Sequence, residues 1–256
     1  MARKKKQSVL NSLVKILLTL TAIFIIAYYV SAYFNAAPHI KYTAFGIDIP
    51  PGYEIHGIDV SRYQHIINWK DVKKMQVKNI KIGFAFIKAT EGIDKVDEQF
   101  SRNWLAAEEA KIPKGAYHFF IAGKNGGAQA NNFIEIAKLK TGDLPPVIDI
   151  EQTNNVAPDK ILQEISEWLI KVEKYYSVKP IIYTNIDFYN RYIKNVFYNY
   201  PVWIAHYLQP EKPGIETEWK FWQHNEKGRV DGIKTPVDFD IFAGDSTDFQ
   251  QLLMQQ

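Results

Sequence analysis

Cysteine is absent from this chain of 256 residues. Its absence excludes a disulfide framework, thiolate nucleophiles and cysteine-ligated metals, and leaves the redox compartment open. Acids are missing from the N-terminal part: Arg3, Lys4, Lys5, Lys6, Lys15 and Lys41 all precede Asp48, the first carboxylate. The formal +3 of the whole chain therefore hides a remainder that carries −3 once those six cations are set aside. A mildly acidic remainder has no basic patch with which to hold nucleic acid. No His, Asp and Glu spacing matches a metal site, so no metal and no other cofactor is expected. Internal repeats and low-complexity tracts are also lacking.

What the chain does have starts with a membrane-type segment. Arg3-Lys4-Lys5-Lys6 precedes an apolar run over 13–34 that is broken at Lys15. The uninterrupted part, 16–34, holds nineteen uncharged residues, close to the roughly 20 that span a bilayer as a helix. The basic flank stays cytoplasmic by the positive-inside tendency, which places everything after Phe34 outside. Tyr28, Tyr29, Tyr33 and Phe34 lie at the outer end, where an aromatic belt belongs. The competing reading is a cleavable signal peptide with Val30-Ser31-Ala32 as its small-residue site. The run is long for a signal peptide and bulky tyrosines crowd that site, so an uncleaved single-pass anchor is the preferred reading. Either reading exports the rest. The expected division is a basic cytoplasmic tail over 1–12, the anchor or signal over 13–34, a linker over 35–54 containing Pro38, Pro50 and Pro51, a domain over 55–250, and a short tail over 251–256.

Strand-like and helix-like patterns alternate through the exported part. Strands are expected at 55–60, 82–88, 115–120, 146–151 and 179–184, with helices at 68–76, 97–111, 127–139, 158–176 and 187–194 between and after them. Pro158 suits a first helical turn, and Gly126-Gly127 breaks the chain before the third helix. Three further strands, 202–206, 219–224 and 237–242, are joined by Pro, Gly and charge in place of helical patterns. Five β/α units with a β-rich end indicate an α/β fold, a modified, irregular (β/α) barrel with about five helices.

Within that pattern the run Leu144-Pro145-Pro146-Val147-Ile148-Asp149-Ile150-Glu151 stands out. Val147, Ile148 and Ile150 mark a buried strand, and the strand carries carboxylates at i and i+2. Alternate residues share a face with Cβ atoms roughly 6.5–7 Å apart, so Asp149 and Glu151 are neighbours. Mutual repulsion and burial both raise a carboxyl pKa, as a general acid near neutral pH requires. In barrels of this class the working residues collect at the C-terminal ends of the strands. Those ends read Asp59, Lys88, Tyr117 with His118, Asp149 with Glu151, Tyr183, Trp203 with His206, Gln223, and Asp238 with Asp240. This is an acidic cleft with aromatic walls, suited to a glycan better than to an anionic ligand. Each residue has a plainer reading: Asp59 as a turn residue, the tyrosines and histidines as core, Lys88 as a charge seeking an anionic partner.

Seven segments occur in the order found in one family. They are Gly57-Ile58-Asp59-Val60-Ser61-Arg62-Tyr63-Gln64, Phe86-Ile87-Lys88-Ala89-Thr90-Glu91-Gly92, Gly115-Ala116-Tyr117-His118-Phe119, Asp149-Ile150-Glu151, Pro201-Val202-Trp203-Ile204-Ala205, Phe221-Trp222-Gln223 and Val237-Asp238. Over roughly 55–249 the chain resembles glycoside hydrolase family 25, the Chalaropsis-type lysozymes, N-acetylmuramidases that cut peptidoglycan. The resemblance implies a flattened (β/α) barrel with about five helices. It implies Glu151 as general acid and Asp149 as the partner that orients the 2-acetamido group or holds the Glu151 pKa up. Asp59 and Asp238 match the two further acidic positions, and Tyr117, Tyr183, Trp203 and Gln223 match sugar contacts; Lys88 joins them as a candidate substrate-binding residue. Two departures stand out. Asp240 replaces the family's usual Asn, adding a negative charge near the site or pointing harmlessly outward. The N-terminal span is this chain's own.

A retaining double displacement wants its carboxylates about 5–5.5 Å apart and an inverting reaction roughly 6.5–9.5 Å. Same-strand i, i+2 spacing suits neither a directly opposed nucleophile nor a distant base. It suits substrate assistance, in which the acetamido oxygen attacks while Asp149 steadies it and Glu151 acts as acid and then base. The expected substrate is the glycan strand of peptidoglycan, with the membrane as a second partner through the N-terminal helix. Rival readings are a catalytically weak peptidoglycan-binding module using the same cleft and a structural envelope protein. Oligomeric state is open.

Overall fold

The computed structural model describes residues 2–35 and 40–255, and the chain divides into two compact units, Met1–Pro38 and His39–Gln256. The described part of the first unit is one helix, α1 (Ala2–Asn35). Its stretch Val14–Ser31, of mean hydropathy 2.0, is long and apolar enough to cross a membrane.

The second unit opens with a small antiparallel hairpin, β1 (Ile40–Tyr42) and β2 (Ile47–Ile49). This segment falls in the stretch read from sequence as a linker. Tyr42, Phe45, Ile47 and Ile49 are all buried, and the Phe45 ring packs edge-on against Phe239 at 5.2 Å. Four apolar side chains in eight residues are enough to dock a short hairpin, and the flanking prolines mask that signal in the sequence.

Eight strands then close a barrel. They are β3 (His56–Val60), β5 (Ile80–Glu91), β7 (Lys114–Phe119), β8 (Val147–Asp149), β9 (Ile181–Asn185), β10 (Val202–Ala205), β11 (Phe221–Gly228) and β12 (Val237–Phe242). Two-residue strands β4 (Gln76–Val77) and β6 (Lys95–Val96) pair with β5 outside the ring. Neighbours around the ring run β3-β12-β11-β10-β9-β8-β7-β5, and β5 returns to β3 to close it. Within the ring all pairings are parallel except those of β12, which runs antiparallel to both β11 and β3. The connections carry α2 (Trp69–Lys74), α3 (Phe100–Glu109), α4 (Gly126–Ala137), α5 (Pro158–Tyr176) and α6 (Ile186–Phe188), the last continuing as one π-helical turn, Tyr189–Ile193. A final helix, α7 (Ser246–Leu252), follows the barrel; its polar composition gives no periodic signal in the sequence.

Strand alternation sorts the side chains into two cores. Ile58, Ile87, Ala116, Ile148, Ile150, Ile182, Ile204 and Ile241 point outward to meet the helices. There α5 buries Ile161, Ile165, Trp168, Leu169 and Val172, one stripe at helical spacing, starting from Pro158 in its first turn. Phe84, Phe86, Val147, Ile181, Phe221 and Phe242 point inward and fill the barrel floor. The aromatic filling dictates glycine at two facing positions. A Cβ on Gly57 would lie 2.4 Å from the Phe84 ring, and one on Gly115 would lie 2.6 Å from Phe86. Above this apolar floor the inward positions turn polar.

Candidate active site

The polar inward residues line a cleft of about 390 Å³ at the C-terminal ends of the parallel strands, within the roughly 300–1,000 Å³ typical of small-ligand sites. All nine candidate residues meet there: Asp59, Lys88, Tyr117, Asp149, Glu151, Tyr183, Trp203, Gln223 and Asp238. Asp149 ends β8, and Glu151 lies two residues on, past a fully buried Ile150 that points the other way. The i, i+2 relation therefore puts both carboxyls in one cleft. Asp238 reaches it from the start of β12, not from a strand end, because β12 runs the opposite way to its neighbours. Its Cα sits opposite Asp59 across the antiparallel pair.

Burial dominates the electrostatics. It pushes the Asp149 carboxyl well above the usual range, with Glu151 adding to the rise and Lys88 opposing it. Glu151 is raised by burial and held back by the Asn185 amide, which also donates to the Glu151 carbonyl at 3.2 Å. Asp238 is pushed up to about 7 by burial and then by Glu226. Asp59 is raised well above its ordinary value by burial, then by Asp238 and Asp240. Carboxyls raised above their ordinary range are what proton donation near neutral pH demands.

A hydrogen-bonded chain crosses one wall. Gln223 donates from Nε2 to Asp59 Oδ2 at 2.7 Å. Its Oε1 accepts from Tyr183 at 2.9 Å and from Tyr207 at 2.6 Å. Every polar atom of the Gln223 amide head is thus engaged, except one N–H, and the amide cannot swing. Trp203 is nearly fully buried, stacked on Phe86 with ring centroids 4.5 Å apart, and donates its indole N–H to Asp240 Oδ1 at 2.9 Å. It meets the cleft as floor. Lys88 finds its anionic partner within its own motif, at 2.8 Å from Glu91, and lies 4.6 Å from the centroid of the Phe119 ring. Glu91, also paired with Lys95 at 2.9 Å, is held down to about 2 by the two lysines against the opposing effect of burial.

Asp240 points inward, fully buried beneath the cleft, so the outward alternative does not hold. His118 is on the outer face of β7, bonded to Thr90 at 2.7 Å and stacked on Trp168, and takes no part in the cleft. His206 accepts from the Gly214 N–H at 2.9 Å. No group of three or more His, Cys, Asp or Glu residues suited to a metal occurs among the described residues. The cleft also contains Ser61, Tyr63, Gln64, Phe119, Tyr207 and Glu226, none of them singled out from sequence. Phe119 was accessible by counting two from Tyr117. Tyr207 lies in a loop and Glu226 beyond a bulge in β11, where alternation gives no guide.

The comparisons agree with this geometry. The profile of Glycosyl hydrolases family 25 matches residues 58–233. Lysozyme M1 of Streptomyces globisporus is 34% identical over 205 residues, 74% of this chain and 68% of that protein. The uncharacterized protein YegX of Escherichia coli strain K12 is 43% identical over 207 residues, 81% of this chain and 76% of that one. Among solved structures, a family 25 glycosyl hydrolase from Bacillus anthracis superposes with a TM-score of 0.74 at 33% identity, covering 84% of this chain and all of that one. A bacterial lysozyme from Streptomyces coelicolor superposes at 0.70 with 31% identity, covering 78% of this chain and 96% of that one. The barrel, its acidic cleft and these likenesses converge: the chain belongs to glycosyl hydrolase family 25 and is a glycosidase.

Proposed function

We propose that the protein is an exported muramidase that cleaves the β-1,4 bond between N-acetylmuramic acid and N-acetylglucosamine in peptidoglycan. The observation that carries this reading is the pairing of Glu151 with Asp149, whose buried Oδ1 has no hydrogen-bond partner among the described residues. An unpaired buried acceptor costs about 1–3 kcal/mol, and a substrate N–H arriving in the cleft removes that cost. Asp149 then accepts the acetamido N–H and steadies the acetamido group while its oxygen attacks the anomeric carbon. Glu151 delivers its proton to the leaving glycosidic oxygen, later removes one from the incoming water, and the configuration is retained. Asp59 and Asp238 complete the acidic lining, while Lys88, Tyr117, Tyr183, Trp203 and Gln223 hold the sugar.

The stretch Val14–Ser31 supports a membrane anchor, with the basic tail over 1–12 cytoplasmic and the catalytic domain, 55–250, outside. In this reading the hairpin β1–β2 belongs to the exported part. Purified peptidoglycan treated with the protein, reduced with borohydride and analysed by mass spectrometry tests the assignment. Reduced muramic-acid ends are expected. Reduced glucosamine ends move the cleaved bond, and binding without any fragments makes the protein a glycan-binding module.

A further inference from the structure

The proposed reaction leaves one buried acid of this site unused. Asp240 lies two residues beyond Asp238 on β12, with its Cα opposite Gln223 on β11 and Gly57 on β3. It is completely buried. Its Oδ1 accepts the Trp203 indole N–H at 2.9 Å, while Oδ2 has no donor among the described residues. Asp59 lies two residues beyond Gly57 on the same inward face of β3, diagonal to Asp240 across the β12–β3 pair, and the two carboxyls act on each other. Asp59 in turn accepts from Gln223 at 2.7 Å. The charged groups acting on the two acids are themselves acidic: Asp238 on both, and Asp149 on Asp59. Neither acid forms an ion pair among the described residues, and the nearby cation, Lys88, pairs with Glu91.

Two neighbouring carboxyls, Asp240 fully buried and Asp59 nearly so, with no cation paired to either, do not readily both ionise. A single proton held by the pair removes the repulsion. We infer that Asp240 is a positioning residue whose carboxyl shares one proton with Asp59, tying the Trp203 floor to the Asp59–Gln223–Tyr183 wall. Burial and the neighbouring acid Asp238 push Asp240 well above the ordinary carboxylate range against the opposing effects of the Trp203 indole and Asp59, in keeping with a proton kept by the pair. The pair thus carries one negative charge, the same charge that an amide at 240 beside an ionised Asp59 would carry. Asp240 acts on the sugar through Asp59 and Trp203 and does not touch it. The positioning role rests on the muramidase reading; the shared proton does not.

The test uses the full chain in a mild detergent, with Asp240→Asn and Asp240→Ala variants. Infrared difference spectra of protein with 13C-labelled aspartate carboxyls, taken at pH 7 to 8, read protonated buried acids directly. A protonated-carboxyl band in the native protein that disappears in Asp240→Asn is expected; identical spectra overturn the shared proton. The pH profile of kcat/KM on peptidoglycan gives a second readout. Asp240→Asn keeps the alkaline limb in place, because the charge of the pair is unchanged. A limb displaced to lower pH means that Asp240 was ionised, and the inference fails. Asp240→Ala strands the Trp203 N–H and removes the partner of Asp59, so kcat/KM falls about tenfold or more, and Asp240→Asn recovers most of it. A native-like Ala variant contradicts the positioning role. If Asp240→Ala does not fold, the infrared comparison and the Asn pH profile decide. If no glycan is cleaved at all, the muramidase reading has failed on its own and the infrared band still decides the proton.

Discussion

Replacing Asp238 by Asn makes the folded domain more stable, and more so at alkaline pH. The carboxyl is pushed from 3.8 to about 7 by burial and by Glu226. A group with a raised folded pKa costs nothing below its unfolded pKa, where both states are protonated. Its penalty grows as pH rises from about 4 towards 7 and is complete above that. Three pK units at 1.36 kcal/mol each put the full penalty at about 4 kcal/mol, of which roughly 1.5 kcal/mol has accrued by pH 5. Asn is nearly isosteric and cannot ionise, so it removes this penalty at the expense of one acid in the cleft. The gain from Asp238→Asn is therefore about 2–3 kcal/mol larger at pH 8 than at pH 5. Urea unfolding followed by tryptophan fluorescence at both values measures it, with unchanged m confirming that the unfolded state is the same. Buried histidines such as His118, held down to about 3, titrate alike in both proteins and cancel from the difference. A gain independent of pH, or a loss that deepens as pH rises, refutes the assignment of a raised pKa to Asp238.

Other outcomes follow from the same geometry. Asp149→Asn loses about 100-fold or more in kcat with Glu151 intact, and glycans lacking the 2-acetamido group are not cleaved; efficient turnover of such glycans, read by product release, excludes substrate assistance. Asn185→Ser keeps an oxygen for the N-cap of α6 but removes the amide that lowers the Glu151 pKa, so the alkaline limb of the rate profile moves to higher pH. Gly57→Ala places a Cβ 2.4 Å from the Phe84 ring and costs about 1–3 kcal/mol in urea unfolding, since neither the ring nor the strand has room to yield.

The fold was readable wherever one period dominated. The helix expected over 158–176 coincides with α5 because Pro158 opens it and Ile161, Ile165, Trp168, Leu169 and Val172 mark one face. The strand expected over 237–242 coincides with β12, although its antiparallel sense follows from closure of the barrel and leaves no trace in its own residues. Short or polar elements were not readable: β1 and β2 have three residues each, and α7 has the sequence Ser-Thr-Asp-Phe-Gln-Gln-Leu. In the cleft, alternation and motif order named Asp59, Lys88, Asp149 and Glu151, all of which the barrel brings together. Alternation could not say that the side chain of Lys88 is shared with Glu91, or that Asp240 lies under the floor facing Asp59. The first is an i, i+3 contact within β5 that period-2 alternation does not reach, and the second is a contact between strands, which a single sequence records only one strand at a time.

The most direct test compares the native protein with Glu151→Gln, matched in fold by circular dichroism, on the same purified peptidoglycan. Reduced muramic-acid ends are counted after borohydride treatment. The account predicts steady release by the native protein, with a bell-shaped pH profile, and release lowered by about 100-fold or more in the variant. Undiminished release by Glu151→Gln would show that another group supplies the proton and would contradict the central claim.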